Sequence, residues 1–387
     1  MSIELGTKTG PLKGVRVVEI AGIGPGPHAC MILADLGADV IRVERPGGQM
    51  LSGGSHDLLN RGRPSVALNL KDPEAVATVL DLVASADVLV EGMRPGVLER
   101  LGLGPEECHG RNPALVYGRM TGWGQSGPLS TAAGHDMNYI AITGALHGLG
   151  QDRSRPHFPG NLVGDFGGGS TYLVIGILAA LLEAKVSGQG QVVDAAIVDG
   201  TAHLNAMGAS FLASGVFTED RVSNLLDGGA PFYDIYETSD GQHMSVGALE
   251  PQFFATFVRL LGVEDRCPGQ FELEQYDEMR ALFAETFAQR TQAEWVELFE
   301  GTDACVAGIL PLSRAVEHPH LAARETFVTK DGLVQPQPAP RFSRTAATLD
   351  LPPAPVAGAH TREALTAWGV ADVDGLIERG AAVQAEA

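Results

Sequence analysis

Through the first 120 residues, short apolar runs alternate with longer stretches in which apolar residues recur every three or four positions. The runs at 15–21 (VRVVEIA), 39–43 (DVIRV), 65–70 (SVALNL), 87–92 (DVLVEG) and 114–119 (ALVYGR) are rich in β-branched residues and predict strands. Between them, 27–37 (PHACMILADLG) and 73–86 (PEAVATVLDLVASA) carry helical periodicity. Strand and helix in alternation predict an α/β fold, with a parallel sheet joined by crossover helices.

Beyond Asp165 the pattern turns helical, in GGGSTYLVIGILAALLEAKVSG and DAAIVDGTAHLNAMGASFLASG, with a short β-rich run at 191–193 between them. From Tyr233, YDIYETSDGQHMSVGAL reads as two strands about a Ser-Asp-Gly turn. Three amphipathic helices follow, in PQFFATFVRLLG, DEMRALFAETFAQR and TQAEWVELFE. These patterns predict a large doubly wound, Rossmann-like domain over 1–193, linker helices over 194–232 and a smaller α+β domain over 233–321. A proline-rich arm over 322–387 is expected to lie on the large domain and complete it. No internal repeat is visible.

A hydrophobic content of 44% and a mean hydropathy of +0.06 describe a globular chain with a sizeable core. The apolar run 172–182 is flanked by Gly-rich sequence and by Glu183 and Lys185, which predicts a buried helix too short to span a bilayer. No secretory or lipidation signal is read, so the expected location is the cytoplasm. The four cysteines are far apart, which suggests neither a metal site nor a disulfide framework.

Net charge is −20, yet the first hundred residues hold 10 basic against 12 acidic side chains. Nucleic acid is not an expected partner of so acidic a chain. Within the near-neutral part, Arg42, Arg45, Arg61, Arg63, Lys71, Arg94 and Arg100 fall at or beside predicted strand ends, where a phosphorylated ligand is held in such folds. A scattered solvated surface accounts for them equally well.

AGIGPGPHA, at 21–29, follows a strand and opens a helix, with Glu44 near the end of the next strand. That resembles a dinucleotide-binding turn, but Pro27 replaces the third glycine, and Pro25 and Pro27 remove two backbone donors. A tight turn with Pro27 at the first helical position is the better expectation.

Gly134-His135-Asp136 and Gly164-Asp165-Phe166-Gly167 present a histidine and a carboxylate on glycine-bearing turns ahead of apolar helical runs. Placed at helix N-termini, the two can face a ligand and outline a two-base site. Taken singly, each is as readily structural, Asp165 as a helix cap.

The blocks GPLKGVRVVEIAGIGPGPHACMILADLGADVIRVERP, EGMRPGVLERLGLGPEE, GRMTGWGQSGPLSTAAGHDMNYIAITGALHGLG, NLVGDFGGGS, GQVVDAAIVDG, LDGGAPFYDIYE and VGALEPQFF together resemble the α-methylacyl-CoA racemases of the class III CoA-transferase superfamily. The resemblance runs from about residue 10 to about 345. It implies that His135 and Asp165 act as opposed bases on the α-carbon of a 2-methylacyl-CoA thioester, and that Glu250 holds the histidine. It also implies that Arg45, Lys71, Arg94 and Arg100 bind the phosphates and adenosine of CoA. CoA is then part of the substrate, and no separate cofactor is expected. An interlocked homodimer is implied as well, with Glu250 contributed in trans.

Chemically, an enolate formed beside Asp165 needs donors, which the start of the helix after Asp165 is expected to supply. The superfamily's transferases use the aspartate at the Asp165 position as a nucleophile but have no need of a second base, so His135 favours the racemase. Some bacterial racemases carry several methionines where 201–216 has Met207 alone, which bears on the acyl chain and not on proton transfer. A CoA-transferase, a nicotinamide oxidoreductase built on AGIGPG, or a CoA-binding protein without turnover are the other readings.

Overall fold

A computed structural model of the chain describes residues 3–48 and 54–386. Contacts divide the chain into two units: Met1–Thr143, Pro159–Leu204 and Arg324–Ala387 form the first, Gly144–Phe158 and Asn205–Ala323 the second. The pattern-based boundaries differ from these, in that 144–158 groups with the second unit and 194–204 with the first.

In the first unit, β1 (Arg16–Ile20), β2 (Asp39–Glu44), β3 (Ser65–Leu68), β4 (Val88–Glu91), β5 (Val116–Thr121) and β6 (Val192–Ala196) run parallel, in the order β3-β2-β1-β4-β5-β6. The helices are α1 (Pro25–Asp35), α2 (Pro73–Ala84), α3 (Val97–Arg100), α4 (Pro105–Arg111), α5 (Asp136–Ile142), α6 (Thr171–Ser187) and α7 (Ile197–Leu204). The strands are apolar almost throughout because both faces are covered. Val18, Ile41, Leu68 and Tyr117 pack on one face with Val79 and Leu82 of α2, and Val17, Val40 and Val116 on the other with Leu33 of α1 and Ile177 of α6. The chain winds outward from β1 to β3, then crosses to β4 and winds the other way. That reversal leaves a crevice at the C-terminal ends of β1 and β4, where this topology holds its ligands.

Two local expectations are corrected. Helix α1 begins at Pro25, not at Pro27, with Gly24 at φ 72° before it. Either proline would sit among the first four N–H groups, which lack intrahelical partners, so the fixed φ suits both. The helix containing 172–182 is also longer than expected, because a nine-residue π-helical segment, Leu162–Ser170, runs without a break into α6. The continuous 26-residue helix is long and apolar enough to cross a membrane by length and composition, and 33% of its most apolar window is buried. Leu173, Val174, Ile177 and Ala180 are buried, whereas Ile175, Leu182 and Val186 are exposed. An all-round apolar helix packed on one side only leaves its other side bare.

The second unit holds α8 (Ala206–Ala213), β7 (Tyr233–Glu237), β8 (His243–Gly247), α9 (Pro251–Leu261), α10 (Tyr276–Phe287), α11 (Gln292–Phe299) and β9 (Val306–Gly308). The three strands form an antiparallel sheet around β8. Its core is aromatic: Phe257, Phe283, Phe287, Trp295 and Phe299 pack against one another, and Tyr236 of β7 against Phe283 and Phe287, at ring-centroid distances of 5.0 to 6.3 Å. Short helices α12 (Leu312–Ala315) and α13 (Pro319–Ala323) close the unit.

The chain then returns to the first unit through the hairpin of β10 (Phe327–Lys330) and β11 (Leu333–Pro336), followed by α14 (Thr361–Ala367), α15 (Val373–Glu378) and β12 (Ala382–Val383). This tail is more than an arm. Strand β12 pairs antiparallel with β3, Ala382 opposite Leu68, and Leu365, Trp368 and Leu376 join the core of that face. Thr361 Oγ1 accepts the Ala67 N–H at 3.0 Å and lies 2.7 Å from the Val383 carbonyl, fastening helix, strand and tail together.

Candidate active site

The crevice at the strand ends is a cleft of about 490 Å³ within the first unit. The loop Ile23–Pro25 after β1, the loop 92–95 after β4 and the end of β5 line it, together with His135, Asn138, Tyr139, Asp165 and Ile197.

His135 is the N-cap of α5 (φ −133°, ψ 173°), and its backbone N–H donates to Asn138 Oδ1 at 3.1 Å. The Asn138 side chain and the cap thus close a capping box at the start of α5, and His135 remains exposed along the cleft. Below it, Tyr139 donates its hydroxyl to the Gly134 carbonyl and packs edge-on against Trp123, with ring centroids 4.7 Å apart.

Asp165 reaches the cleft by a different route from the one expected. It is not a helix cap but the fourth residue of the segment beginning at Leu162. Its own N–H goes to Asp136 Oδ2 at 2.6 Å, and the next, of Phe166, goes to the Asn161 carbonyl at 3.3 Å. The donors expected after Asp165 are thus committed to the helix and to Asp136. In the first turn of α5, directly beyond His135, the Asn138 N–H donates to the His135 carbonyl at 2.8 Å, and the N–H groups of Asp136 and Met137 precede the helical ladder.

Burial pushes the Asp165 carboxyl above the usual aspartate range. The side-chain amide of Asn161, 3.4 Å from Oδ2, opposes the rise, the Asp136 charge adds to it and His135 opposes it. On the far side, Gly24 lets the loop after β1 come close: a Cβ there would stand 3.2 Å from Asp165 Oδ2. AGIGPG therefore serves a close approach to a carboxylate.

The basic candidates separate cleanly. Arg94 lines the cleft, held by a loop whose Met93 N–H donates to Glu91 Oε2 at 2.6 Å, while Arg119 Nε donates to Glu91 Oε1 at 2.9 Å. Arg45, Lys71 and Arg100 are exposed beyond the C-terminal ends of β2, β3 and β4, at the same edge of the sheet but outside this cleft. Arg42, Arg61 and Arg63 are not available to a ligand. They are buried in ion pairs, Arg42 with Glu19 and Glu44, Arg61 with Asp35 at 2.6 Å, and Arg63 with Glu19 at 2.8 Å. Their spacing in sequence could not show this, because Glu19 comes from β1 and Asp35 from α1, and only Glu44 lies on the same strand as its arginine.

Glu250 lies in the second unit as the exposed N-cap of α9 (φ −78°, ψ 142°), where its carbonyl accepts the Phe254 N–H at 2.9 Å. Three residues of the site were not singled out from sequence: Asp136, Asn161 and Tyr139. Asn161 stands four residues before Asp165, a spacing that places both on one helix face and was visible in principle.

An imidazole and a carboxyl group whose pKa burial raises stand on one cleft, and each is a residue type that can take or give a proton. Among the described residues, no group of three or more His, Cys, Asp or Glu side chains is arranged to hold a metal.

Known proteins bear on this site. The sequence model of the family described as CoA-transferase family III matches residues 12–361. Alpha-methylacyl-CoA racemase of Mus musculus is 45% identical over 361 residues, covering 92% of this chain and 93% of that protein. The Homo sapiens protein of the same name is 42% identical over 362 residues, with the same coverage. Among solved structures, a CAIB/BAIF family protein from Brucella suis superposes with a TM-score of 0.81 at 27% identity, over 93% of this chain and 100% of that one. A match of this extent, on the sheet and the cleft described above, means that the chain belongs to CoA-transferase family III.

Proposed function

We propose that the chain is a racemase or epimerase that interconverts (R)- and (S)-2-methylacyl-CoA thioesters by 1,1-proton transfer through an enolate. The observation that carries the reading is the convergence of His135 and Asp165 on one cleft. The 45% and 42% identity to proteins named alpha-methylacyl-CoA racemase supports it.

In this reading one base removes the α-proton, and the C–H electron pair moves into the carbonyl to give the enolate. The other group, already protonated, delivers its proton to the opposite face as the thioester carbonyl re-forms. The reverse direction exchanges the two roles. The enolate oxygen is met by the backbone N–H groups of Asp136 and Met137 that open α5, in place of the donors expected after Asp165. Arg94, with Arg45, Lys71 and Arg100 along the same edge, binds the CoA portion, and no further cofactor is needed.

Glu250 is assigned the task of holding His135, from a second copy in an interlocked homodimer. The exposed Ile175, Leu182 and Val186 of α6 support a partner on that helix, assigned here to a second copy of the chain. The expected compartment is the cytoplasm.

The test is to incubate each enantiomer separately in deuterium oxide. Deuterium should enter the α-position from both, and His135→Ala should slow entry from one enantiomer more than from the other. No entry, with CoA passing to a free carboxylate, would instead establish the transferase reading with Asp165 as nucleophile.

A further inference from the structure

Directly beyond His135, the first residue of α5 is a carboxylate whose side chain the mechanism above leaves unused. Asp136 is 7% exposed, and its Oδ2 accepts the backbone N–H of Asp165 at 2.6 Å. Its Oδ1 is buried and has no hydrogen-bond partner among the described residues. Gly164 lies over the same group so closely that a Cβ there would overlap Oδ2. A buried carboxylate with one oxygen unused is costly, and a neutral side chain of similar shape would be easier to bury.

We propose that Asp136 is a positioning residue: it ties the turn that carries His135 to the helix that carries Asp165, and so sets the gap across which the proton passes. It is bonded in sequence to one base and hydrogen-bonded to the backbone of the other, with no third residue between. The inference rests on the racemase reading.

The same carboxylate acts on Asp165 by charge, adding to the effect of burial. The other groups facing Asp165 are Asn161 on its own helix, His135 at the cap of α5, and Tyr139, whose phenol feels both Asp165 and Arg94. The loop Ile23–Pro25, on the remaining side, is uncharged.

Two variants separate position from charge. Asp136→Ala removes both; Asp136→Asn keeps an oxygen that can accept the Asp165 N–H but removes the charge. Exchange of α-deuterium is measured from each enantiomer over a pH series, with thermal melting and affinity for CoA as controls on folding. Asp136→Ala should lose about 100-fold in kcat in both directions, with KM and CoA affinity retained, as expected for a displacement of about 1 Å. Asp136→Asn should recover kcat to within several-fold, and the limb of its profile that reports Asp165 as base should move to lower pH. Wild-type kcat in Asp136→Ala would overturn the proposal. A loss in Asp136→Ala that brings down melting temperature and CoA affinity together, without recovery in Asp136→Asn, would overturn it in favour of a purely structural role. If the unaltered protein exchanges no deuterium from either enantiomer, the racemase reading falls and takes this one with it; exchange with an indifferent Asp136→Ala ends this one alone.

Discussion

Gly24 and Asp165 approach so closely that a Cβ on the first would stand 3.2 Å from Oδ2 of the second, at a backbone φ of 72° that favours glycine. Gly24→Ala should therefore cost about 1–2 kcal/mol of stability through backbone strain. Crowding of the carboxylate should lower kcat/KM by about tenfold or more beyond that. Urea unfolding and steady-state kinetics on one preparation check both; unchanged kcat/KM would mean that Asp165 yields freely.

The raised carboxyl of Asp165 has a consequence for stability. The folded chain holds that proton more tightly than the unfolded chain, so stability falls as pH rises from the ordinary aspartate value of about 3.9 through the folded value. Asp165→Asn removes the ionising group and should melt above the unaltered protein at pH 7.5, by a margin that narrows as pH is lowered. A margin constant across pH would show that the proton is not linked to folding.

The arginines should divide by experiment as they do by burial. Arg63→Ala strands Glu19 without one of its partners and should cost about 3–5 kcal/mol in urea unfolding. Arg94→Ala should leave unfolding unchanged and raise KM for a CoA thioester about tenfold, the size of a lost charge-assisted hydrogen bond.

Leu365, fully buried in the tail, should behave as a core residue of the first unit. Leu365→Ala is expected to cost about 2–5 kcal/mol by chemical denaturation, against less than about 0.5 kcal/mol for Val356→Ala, which is exposed in the same tail.

What could be read from sequence follows the range of the interactions involved. Strands β1 to β5, the β7–β8 hairpin and α9 to α11 fall within a few residues of their periodic patterns, because each element's burial pattern is written in its own residues. The cap position of His135 was legible for the same reason. Asp165 was misjudged as a helix start because Gly167, Gly168 and Gly169 read as a turn, whereas here they continue a π-helical segment. Asp136 gains no role from the sequence because its partner lies on a different element, and for the same reason Arg61 and Arg63 read there as phosphate-holding or solvated side chains and not as buried ion pairs. The tail's strand could not be foreseen from two residues, Ala382 and Val383, whose role depends on the open edge of β3.

That last pairing dictates an order of events during synthesis. Strand β3 is made early, but its outer backbone groups wait for Ala382 and Val383, and part of one hydrophobic face waits for Leu365, Trp368 and Leu376. A nascent chain stalled anywhere before residue 361 thus carries an unsealed sheet margin, a surface suited to chaperones or to strand-by-strand aggregation. The second unit, made of 144–158 and 205–323, has all the strands of its own sheet by then and can settle while the first is still incomplete.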